Sequence, residues 1–295
     1  MLRGDSSPRS DTKQPSNAAA TNPIVSSARF PSEVSESRGI RRGALAAWSE
    51  GGPLLIVSRL CRLGAGILQR SAESLELSGA GRSVRKFRAT SLDEAIEFAE
   101  TFSYAGISLR PMQVPSEIQT FLEFLASDPP RTVLEIGTAR GGTLFLFGQI
   151  ARDDALLISM DFTEGTPRFA GTSKYRRRGR LYRSLGRDRQ RVVFLGSDSH
   201  RPETRAQLER VLGNRVIDLL FIDGDHTLAG VEADFRMYSP LVRSRGIVAF
   251  HDIVPGPPEA VGDVPGFWKR IRTADSLEIV EDWGQGGYGI GILRT

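Results

Sequence analysis

Acids, histidines and glycines recur in this sequence directly after short apolar runs. Five runs end in this way, and the polar residues that follow them lie at positions 137–142, 161, 198–200, 223–226 and 251–252. All three histidines of the chain belong to this set. Imidazole exchanges a proton near neutral pH, and carboxylates accept hydrogen bonds from ribose or bind divalent cations. These residue types therefore indicate proton transfer beside a bound nucleoside, a metal ion or both.

The elements that carry these residues alternate between strands and helices from about residue 89 onwards. Strands are predicted over residues 132–137, 155–161, 191–198, 217–223, 246–252, 276–283 and 288–294. Helices are predicted over residues 91–102, 115–127, 141–152, 202–213, 228–242 and 264–272. Repeated β-α-β order with nearly continuous apolar strands is typical of a parallel sheet covered on both faces. Because ligands bind beyond the carboxyl ends of such strands, we expect the five groups to meet at one rim.

The loop after the first of these strands is rich in glycine but matches no phosphate-binding fingerprint. Its glycines, at 137, 141 and 142, have offsets of 0, +4 and +5, whereas a dinucleotide fingerprint has glycines at 0, +2 and +5. Asp161 follows Gly137 by 24 residues, where an acid accepts hydrogen bonds from ribose hydroxyl groups. The alternatives are a plain strand-to-helix turn for the loop and helix capping for the acid.

Composition and charge describe an ordinary α/β protein with a basic N-terminal part. Residues 1–88 carry 14 Lys and Arg against 7 Asp and Glu, whereas residues 89–295 carry 25 against 28. The pI of 9.5 therefore reflects the tail and one basic stretch, residues 168–191, so nucleic-acid binding is not expected. The single cysteine, Cys61, excludes an internal disulfide. No apolar stretch of transmembrane length and no secretory signal stand out, so a cytoplasmic protein is expected.

The first 88 residues divide into two segments, followed by a domain over residues 89–295. Residues 1–52 are rich in Ser, Pro, Gly and Arg, which predicts a disordered tail. Residues 53–88 are interpreted as an amphipathic helix and a linker, since residues 53–70 place apolar side chains on one half of a helical wheel. That helix packs on the protein's own core, on a second copy in a homo-oligomer, or on a membrane surface.

The run of motifs between residues 132 and 253 resembles a known family. It comprises TVLEIGTARGGTL, ISMD, GSDSH, IDLLFIDGDHTLAGVEADFRMYSPLV and GIVAFHDI. These motifs resemble the class I S-adenosylmethionine-dependent methyltransferases, and more narrowly the small-molecule O-methyltransferases of antibiotic and sugar tailoring, whose relatives are often labelled cephalosporin-hydroxylase-like. The resemblance extends over residues 90–295. It implies a Rossmann-like, doubly wound seven-stranded sheet whose last strand is antiparallel.

The resemblance also implies how the cofactor S-adenosylmethionine is held. Its methionine part would contact the end of the first strand and the glycine loop, namely Glu135, Gly137, Thr138, Ala139 and Gly141. Asp161 would accept hydrogen bonds from the ribose. Asp198 and Ser199 would lie near the adenine.

The same resemblance implies a metal site and a general base. Asp223, Asp252 and His251 would hold a divalent cation, although an acid is usual where His251 stands. Mg²⁺ is the expected cation. Because Mg²⁺ prefers oxygen ligands, His251 leaves Mn²⁺, Fe²⁺ or no metal as alternatives, and Asp225 could supply an oxygen. His226 would take the proton of an attacking hydroxyl group, with Asp223 as its catalytic partner. The alternative is that His226 only caps a helix or bonds its loop.

The function expected from these residues is S-adenosylmethionine-dependent methylation of a hydroxyl group on a small molecule. Two alternatives share the fold: a metal-dependent hydroxylase and a non-catalytic cofactor-binding module. Lids over the site are expected from residues 103–113 or from the basic stretch 168–191. That stretch is either a solvated surface or a contact for an acidic or phosphorylated substrate or an anionic surface.

Overall fold

The computed structural model describes residues 53–162, 178–187 and 189–295, with side chains for Leu68 and from residue 71 onwards. The tail predicted over residues 1–52 and half of the basic stretch lie outside the described residues. The chain divides into two compact units, Met1–Cys61 and Arg62–Thr295. The helices are α1 Pro53–Lys86, α2 Leu92–Thr101, α3 Pro115–Ala126, α4 Gly142–Ile150, α5 Gly179–Tyr182, α6 Pro202–Leu212, α7 Leu228–Tyr238, α8 Pro258–Val261 and α9 Val264–Ile271. The strands are β1 Ser103–Tyr104, β2 Ile107–Ser108, β3 Thr132–Ile136, β4 Leu156–Asp161, β5 Arg191–Gly196, β6 Ile217–Ile222, β7 Val242–His251, β8 Leu277–Ile279 and β9 Ile290–Arg294.

Seven strands of the described chain form one sheet in the order β5-β4-β3-β6-β7-β9-β8. Strands β3 to β7 are parallel, β9 runs antiparallel to β7, and β8 runs antiparallel to β9. The last strand in sequence is thus the antiparallel one, which confirms the predicted Rossmann-like sheet. The chain moves outwards from β3 to β5 and then returns to β6 on the other side of β3. This reversal opens a crevice at the carboxyl ends of β3 and β6, where ligands bind in such folds.

The sheet separates two apolar layers because successive strand residues point to opposite faces. Val133, for example, packs with the layer formed by α1 to α5, whereas Leu134 packs with α6, α7 and α9. Both side chains are fully buried. The near-continuous apolar pattern of the central strands follows from this double coverage.

Helix α1 extends beyond the amphipathic segment predicted over residues 53–70 and continues to Lys86, so most of the expected linker is helical. Its last turns pack on the protein's own core through Leu77, Ala80 and Val84. Gly81 permits a close approach, since a Cβ atom there would collide with the side chain of Ser184. No described helix is both long enough and apolar enough to cross a membrane.

Two local features differ from the sequence prediction. The segment expected as a lid, residues 103–113, begins with a hairpin of β1 and β2, whose turn residues Ala105 and Gly106 both have positive φ. The helix predicted to end at residue 242 ends instead at Tyr238 and is followed by a 3₁₀ turn, Ser239–Leu241. Pro240 lies in that turn, and proline has no N–H group to continue the helical hydrogen-bond ladder.

Candidate functional site

The glycine loop between β3 and α4 is shaped by close backbone contacts. Gly137 and Gly141 have φ values of 88° and 87°, in the region that glycine tolerates best. A Cβ atom at Gly137 would collide with the carbonyl group of Asp223, and one at Gly142 with the carbonyl group of Leu109. These glycines therefore let the loop approach the end of β6 and the segment that follows β2, so the loop backbone lies directly at the crevice.

Asp161, at the end of β4, holds this loop in place. Its Oδ2 atom accepts hydrogen bonds from the amides of Thr138, at 3.1 Å, and Ala139, at 2.8 Å. Burial raises the pKa of Asp161, and the backbone hydrogen bonds offset part of that shift. Asp161 ends the strand next to β3, and its carboxylate thus holds Ala139 at its strained positive φ of 43°. The acid that the sequence assigns to the ribose also fixes the loop assigned to the methionine part.

Glu135 is a completely buried carboxylate on β3. Neither of its carboxylate oxygens has a hydrogen-bond partner among the described residues. Burial raises its pKa well above the usual range, the nearby hydroxyl group of Thr138 offsets part of that shift, and the carboxylates of Asp223 and Asp161 raise the pKa further. A buried charge without a partner is costly. A positively charged ligand group would remove that cost, so Glu135 fits the role that the resemblance implies.

Asp223 follows β6 and lies at the centre of a polar cluster. Its Oδ1 atom is 3.2 Å from Nδ1 of His251 and 3.5 Å from Nε2 of His226. Its Oδ2 atom accepts a hydrogen bond from Nε2 of Gln113 at 3.1 Å. Burial alone would raise the pKa of Asp223, but the two histidines outweigh it and lower that pKa below its usual range. Asp223 therefore stays ionised and favours a proton on either neighbouring ring.

His226 is oriented by its own loop and by Asp223. Its Nδ1 atom lies 2.7 Å from the carbonyl oxygen of Ala260. Since a carbonyl oxygen only accepts, Nδ1 carries the hydrogen and the neutral ring presents its lone pair at Nε2. Burial lowers the pKa of His226, but the Asp223 carboxylate and the Ala260 carbonyl outweigh it and the pKa is raised. His226 can therefore hold its loop through Nδ1 and still accept a proton at Nε2.

Asp252 completes a group of three residues that could hold a cation. One ligand atom each from Asp223, His226 and Asp252 lies within 4.8 Å of the others. Asp252 has a φ of 60°, and its Oδ1 atom accepts a hydrogen bond from the amide of Tyr288. His251 lies against the same two acids, with its Nδ1 atom 3.2 Å from Oδ1 of Asp223 and 3.5 Å from Oδ1 of Asp252.

His251, which the sequence assigned as a metal ligand, turns its Nδ1 atom towards Asp223. Its Nε2 atom is buried and has no partner among the residues described. Burial lowers the pKa of His251, but Asp223 and Asp252 outweigh it and raise that pKa well above its usual value. The ring therefore serves as a buried counter-charge to Asp223. Asp225 also faces away from this group, since its Oδ1 atom accepts a hydrogen bond from the amide of Thr227 at the start of α7.

The loop after β5 lies two strands from β3 and is bonded mostly within itself. Asp198 accepts a hydrogen bond from the amide of His200, and the carbonyl group of Ser199 accepts one from the hydroxyl group of Tyr238. His200 lies 3.3 Å from the buried carboxylate of Asp234. Of the three histidines expected at the rim, two therefore contact Asp223, and His200 forms a separate pair.

Two residues of the site were missed by reasoning from the sequence. Gln113 is buried and connects Asp223 to the hydroxyl group of Thr143, which donates a hydrogen bond to it at 2.7 Å. Tyr182 donates a hydrogen bond from its hydroxyl group to the carbonyl oxygen of Ala139 at 2.7 Å. Asp223 lies 110 residues from Gln113, Thr143 lies 30 residues from Gln113, and Ala139 lies 43 residues from Tyr182. No local pattern marks such contacts; the only signal was that both residues fall in the segments expected to act as lids.

Comparison with protein families gives a match to a model described as a methyltransferase domain, over residues 134–253. This stretch begins within β3, ends just after β7 and contains every site residue that the sequence predicted. Residues 134–253 thus match a methyltransferase domain, in agreement with the resemblance to the class I methyltransferases. Comparison with curated proteins gives no match.

Comparison with solved structures gives matches to O-methyltransferases at low sequence identity and low TM-score. TomG from Streptomyces achromogenes, involved in tomaymycin synthesis and solved with S-adenosylmethionine, is 16% identical, with a TM-score of 0.41. That comparison covers 70% of this chain and 89% of TomG. An O-methyltransferase from Bacillus cereus, solved with S-adenosylhomocysteine, is 18% identical, with a TM-score of 0.45, and covers 71% of this chain and 92% of its own.

Proposed function

We propose that this protein transfers the methyl group of S-adenosylmethionine to a hydroxyl group of a small molecule. The observation that carries the proposal is the position of two sites at one crevice. The Asp161-tethered glycine loop and the unpaired Glu135 lie on one side, and the Asp223–His226 pair lies on the other. A cofactor cradle beside a proton acceptor is the arrangement that methyl transfer to a hydroxyl group requires.

The cofactor half is proposed from the chemistry of its residues. The buried carboxylate of Glu135 suits the ammonium group of the methionine part, because this contact would give the carboxylate a partner of opposite charge. Asp161 would accept hydrogen bonds from the ribose while Oδ2 keeps its contacts to the loop. Asp198 and Ser199, at the end of β5, would border the adenine. When bound, S-adenosylmethionine supplies a methyl group on a positively charged sulfur.

Proton removal is proposed for His226. The hydroxyl group of the acceptor would give its proton to Nε2, the nitrogen left free by the hydrogen bond from Nδ1 to the Ala260 carbonyl. The carboxylate of Asp223, 3.5 Å from Nε2, would stabilise the imidazolium that forms. The oxygen lone pair is then available to form the new C–O bond. Gln113 would keep Asp223 in this position through its hydrogen bond to Oδ2.

A metal-assisted form of the reaction uses the same residues differently. Asp223, Asp252 and Nε2 of His226 would hold the divalent cation, Mg²⁺ or, given the imidazole ligand, Mn²⁺ or Fe²⁺. The cation would lower the pKa of a bound hydroxyl group and orient it. Nε2 has one lone pair, so His226 cannot be a ligand and a base through that atom at once. The metal form therefore makes His226 a ligand.

A hydroxylase of the non-haem iron class is the weaker candidate. That chemistry uses two histidines and one carboxylate on one face. Two histidines, His226 and His251, do lie beside Asp223, but this chemistry leaves the glycine loop that Asp161 tethers without a role. Membrane contact, a homo-oligomer and a cytoplasmic location remain predictions from the sequence.

The first test is calorimetric titration of the full chain with S-adenosylmethionine. We expect binding to the natural chain and to Asp154→Asn, an exposed acid of the same type, and loss of binding in Asp161→Asn. Small hydroxylated compounds are then compared with matched amines and thiols, with formation of S-adenosylhomocysteine as the signal. Absence of cofactor binding to the natural chain, with and without Mg²⁺, would refute the proposal.

A further inference from the structure

A groove lined by arginines lies between α1 and α5, apart from the cluster around Asp223. Its cavity of about 470 Å³ is lined by Leu77, Ser78, Arg82, Arg85, Arg180, Arg183 and Ser184, here called the arginine groove. We propose that the arginine groove binds a phosphate group, carried by a small phosphorylated molecule or by a lipid headgroup. This binding does not depend on the methyltransferase proposal.

The charge of the groove is the first argument. All four arginines are exposed, and none has a carboxylate within ion-pairing distance in the part of the chain that the structure describes. Some arginines elsewhere on the surface do have such partners; Arg243, for example, binds Asp128 and Asp218. Four like charges around one concavity repel each other. An anion with two or more negative charges would convert this repulsion into attraction.

The second argument is that the groove is built from fixed parts. The two arginine pairs, Arg82 with Arg85 and Arg180 with Arg183, are each spaced by three residues, so each pair shares one face of its helix or turn. Helix α1 is anchored by its buried side chains, and Gly81 contacts Ser184 directly. The Arg180 side chain is held by a hydrogen bond from Nη1 to Oγ of Ser74, at 2.6 Å. The backbone that carries the four arginines and one of their guanidinium groups are therefore in place around the cavity before any ligand arrives.

The donor chemistry identifies the ligand class. Guanidinium groups are planar forks that bind phosphate oxygens in pairs, and Arg is favoured over Lys where such recognition matters. All four charged residues of the groove are arginines. The hydroxyl groups of Ser78 and Ser184 already donate to the carbonyl oxygens of Ser74 and Arg180. The ligand must therefore be recognised mainly by the guanidinium groups, which suits a compact multivalent oxyanion.

The test uses the full chain and inorganic pyrophosphate as the probe. Pyrophosphate binding is measured by calorimetry at constant ionic strength, with chloride as the balancing anion. The double variant Arg82→Gln/Arg183→Gln removes one guanidinium from each side of the groove. Its control is Arg210→Gln/Arg236→Gln, which neutralises two exposed helical arginines elsewhere. We expect the groove variant to bind about 100-fold more weakly and the control to match the natural chain.

Further measurements separate loss of the site from loss of the fold and identify the source of the phosphate. Circular dichroism confirms that the groove variant is folded, and Arg82→Lys/Arg183→Lys, which keeps the charge but loses the forks, should retain only part of the affinity. Vesicles with and without phosphatidylglycerol distinguish the source: binding that pyrophosphate displaces assigns the phosphate to a lipid headgroup, and no binding assigns it to a soluble molecule. Equal pyrophosphate affinity in the groove variant and its control would overturn the proposal.

Discussion

Replacing Glu135 with glutamine should stabilise the free protein and at the same time weaken cofactor binding. Glu135 is completely buried, and both of its carboxylate oxygens are without hydrogen-bond partners in the described structure. In the unfolded chain this carboxyl group is ionised above its ordinary pKa, whereas in the folded protein its pKa is raised well above that value by burial. Folding at neutral pH therefore requires uptake of a proton or burial of a charge, and glutamine requires neither.

The size of the effect follows from linkage. Each pH unit between the ordinary pKa of a glutamate, near 4.3, and a neutral pH costs about 1.4 kcal/mol while the folded group stays protonated, which sets a ceiling of about 4 kcal/mol at pH 7. We expect Glu135→Gln to raise the free energy of unfolding by about 1–3 kcal/mol and Tm by several degrees. The folded state binds the extra proton, so the stability of the natural chain falls as pH rises above the unfolded pKa. The difference between natural chain and variant should therefore vanish near pH 4 and grow towards pH 7.

The assay is urea unfolding of the free protein between pH 4.5 and 7.5, with Glu97→Gln as the control. Glu97 is exposed on α2, and its side chain has no hydrogen bond or ion pair with another described residue, so its variant should match the natural chain at every pH. Titration with S-adenosylmethionine should then show binding about 10- to 100-fold weaker in Glu135→Gln, because a charge-assisted contact is lost. Reduced stability of free Glu135→Gln at pH 7 would refute the reasoning, since it would mean that the carboxylate has a partner.

Other positions give predictions of different kinds. His226→Asn should lower kcat by about 10²- to 10⁴-fold and leave the affinity for S-adenosylmethionine unchanged, which steady-state kinetics and calorimetry check together. Tyr182→Phe should weaken cofactor binding about fivefold and lower the free energy of unfolding by about 1 kcal/mol, since the glycine loop loses a buried hydrogen bond; a fully retained affinity would contradict this. Gly137→Ala should destabilise by more than about 2 kcal/mol because of its positive φ and its contact with a neighbouring carbonyl group. In contrast, Gly266→Ala, in open space on α9, should stabilise by about 0.5–1 kcal/mol in the same unfolding assay.

The arrangement of the rim was predictable because it depends on local signals. Apolar runs mark the strands, and the residue after each run must lie at the carboxyl edge of the sheet, so Asp161, Asp223 and His251 could be placed without any structure. The glycine loop was likewise predictable, but its glycines are needed for packing as well as for ligand binding. Gly137 is needed for its approach to β6 as much as for any ligand.

The contacts within the rim were not predictable, because they join distant segments or depend on side-chain direction. Gln113 reaches Asp223 across 110 residues, and nothing in its neighbours marks it. The hairpin at residues 103–108 has strands of only two residues, too short for a period-two pattern. Position in sequence also could not separate the roles of His226 and His251, since each lies at or shortly after the end of a strand. In the structure both contact Asp223.

The two histidines can be separated by their metal dependence. His226 belongs to the group of three with Asp223 and Asp252, whereas His251 is buried and directs Nδ1 to Asp223. In a titration of the full chain with Mn²⁺, followed by electron paramagnetic resonance, His226→Asn should therefore weaken binding more than about tenfold, because it removes a ligand. His251→Asn should weaken it less, because Asp223 loses a counter-charge but remains in place. Loss of Mn²⁺ binding in His251→Asn alone would show that the strand-end histidine is the ligand. Equal methyl transfer with Mn²⁺ and with a chelator would leave Nε2 of His226 free to act as the base.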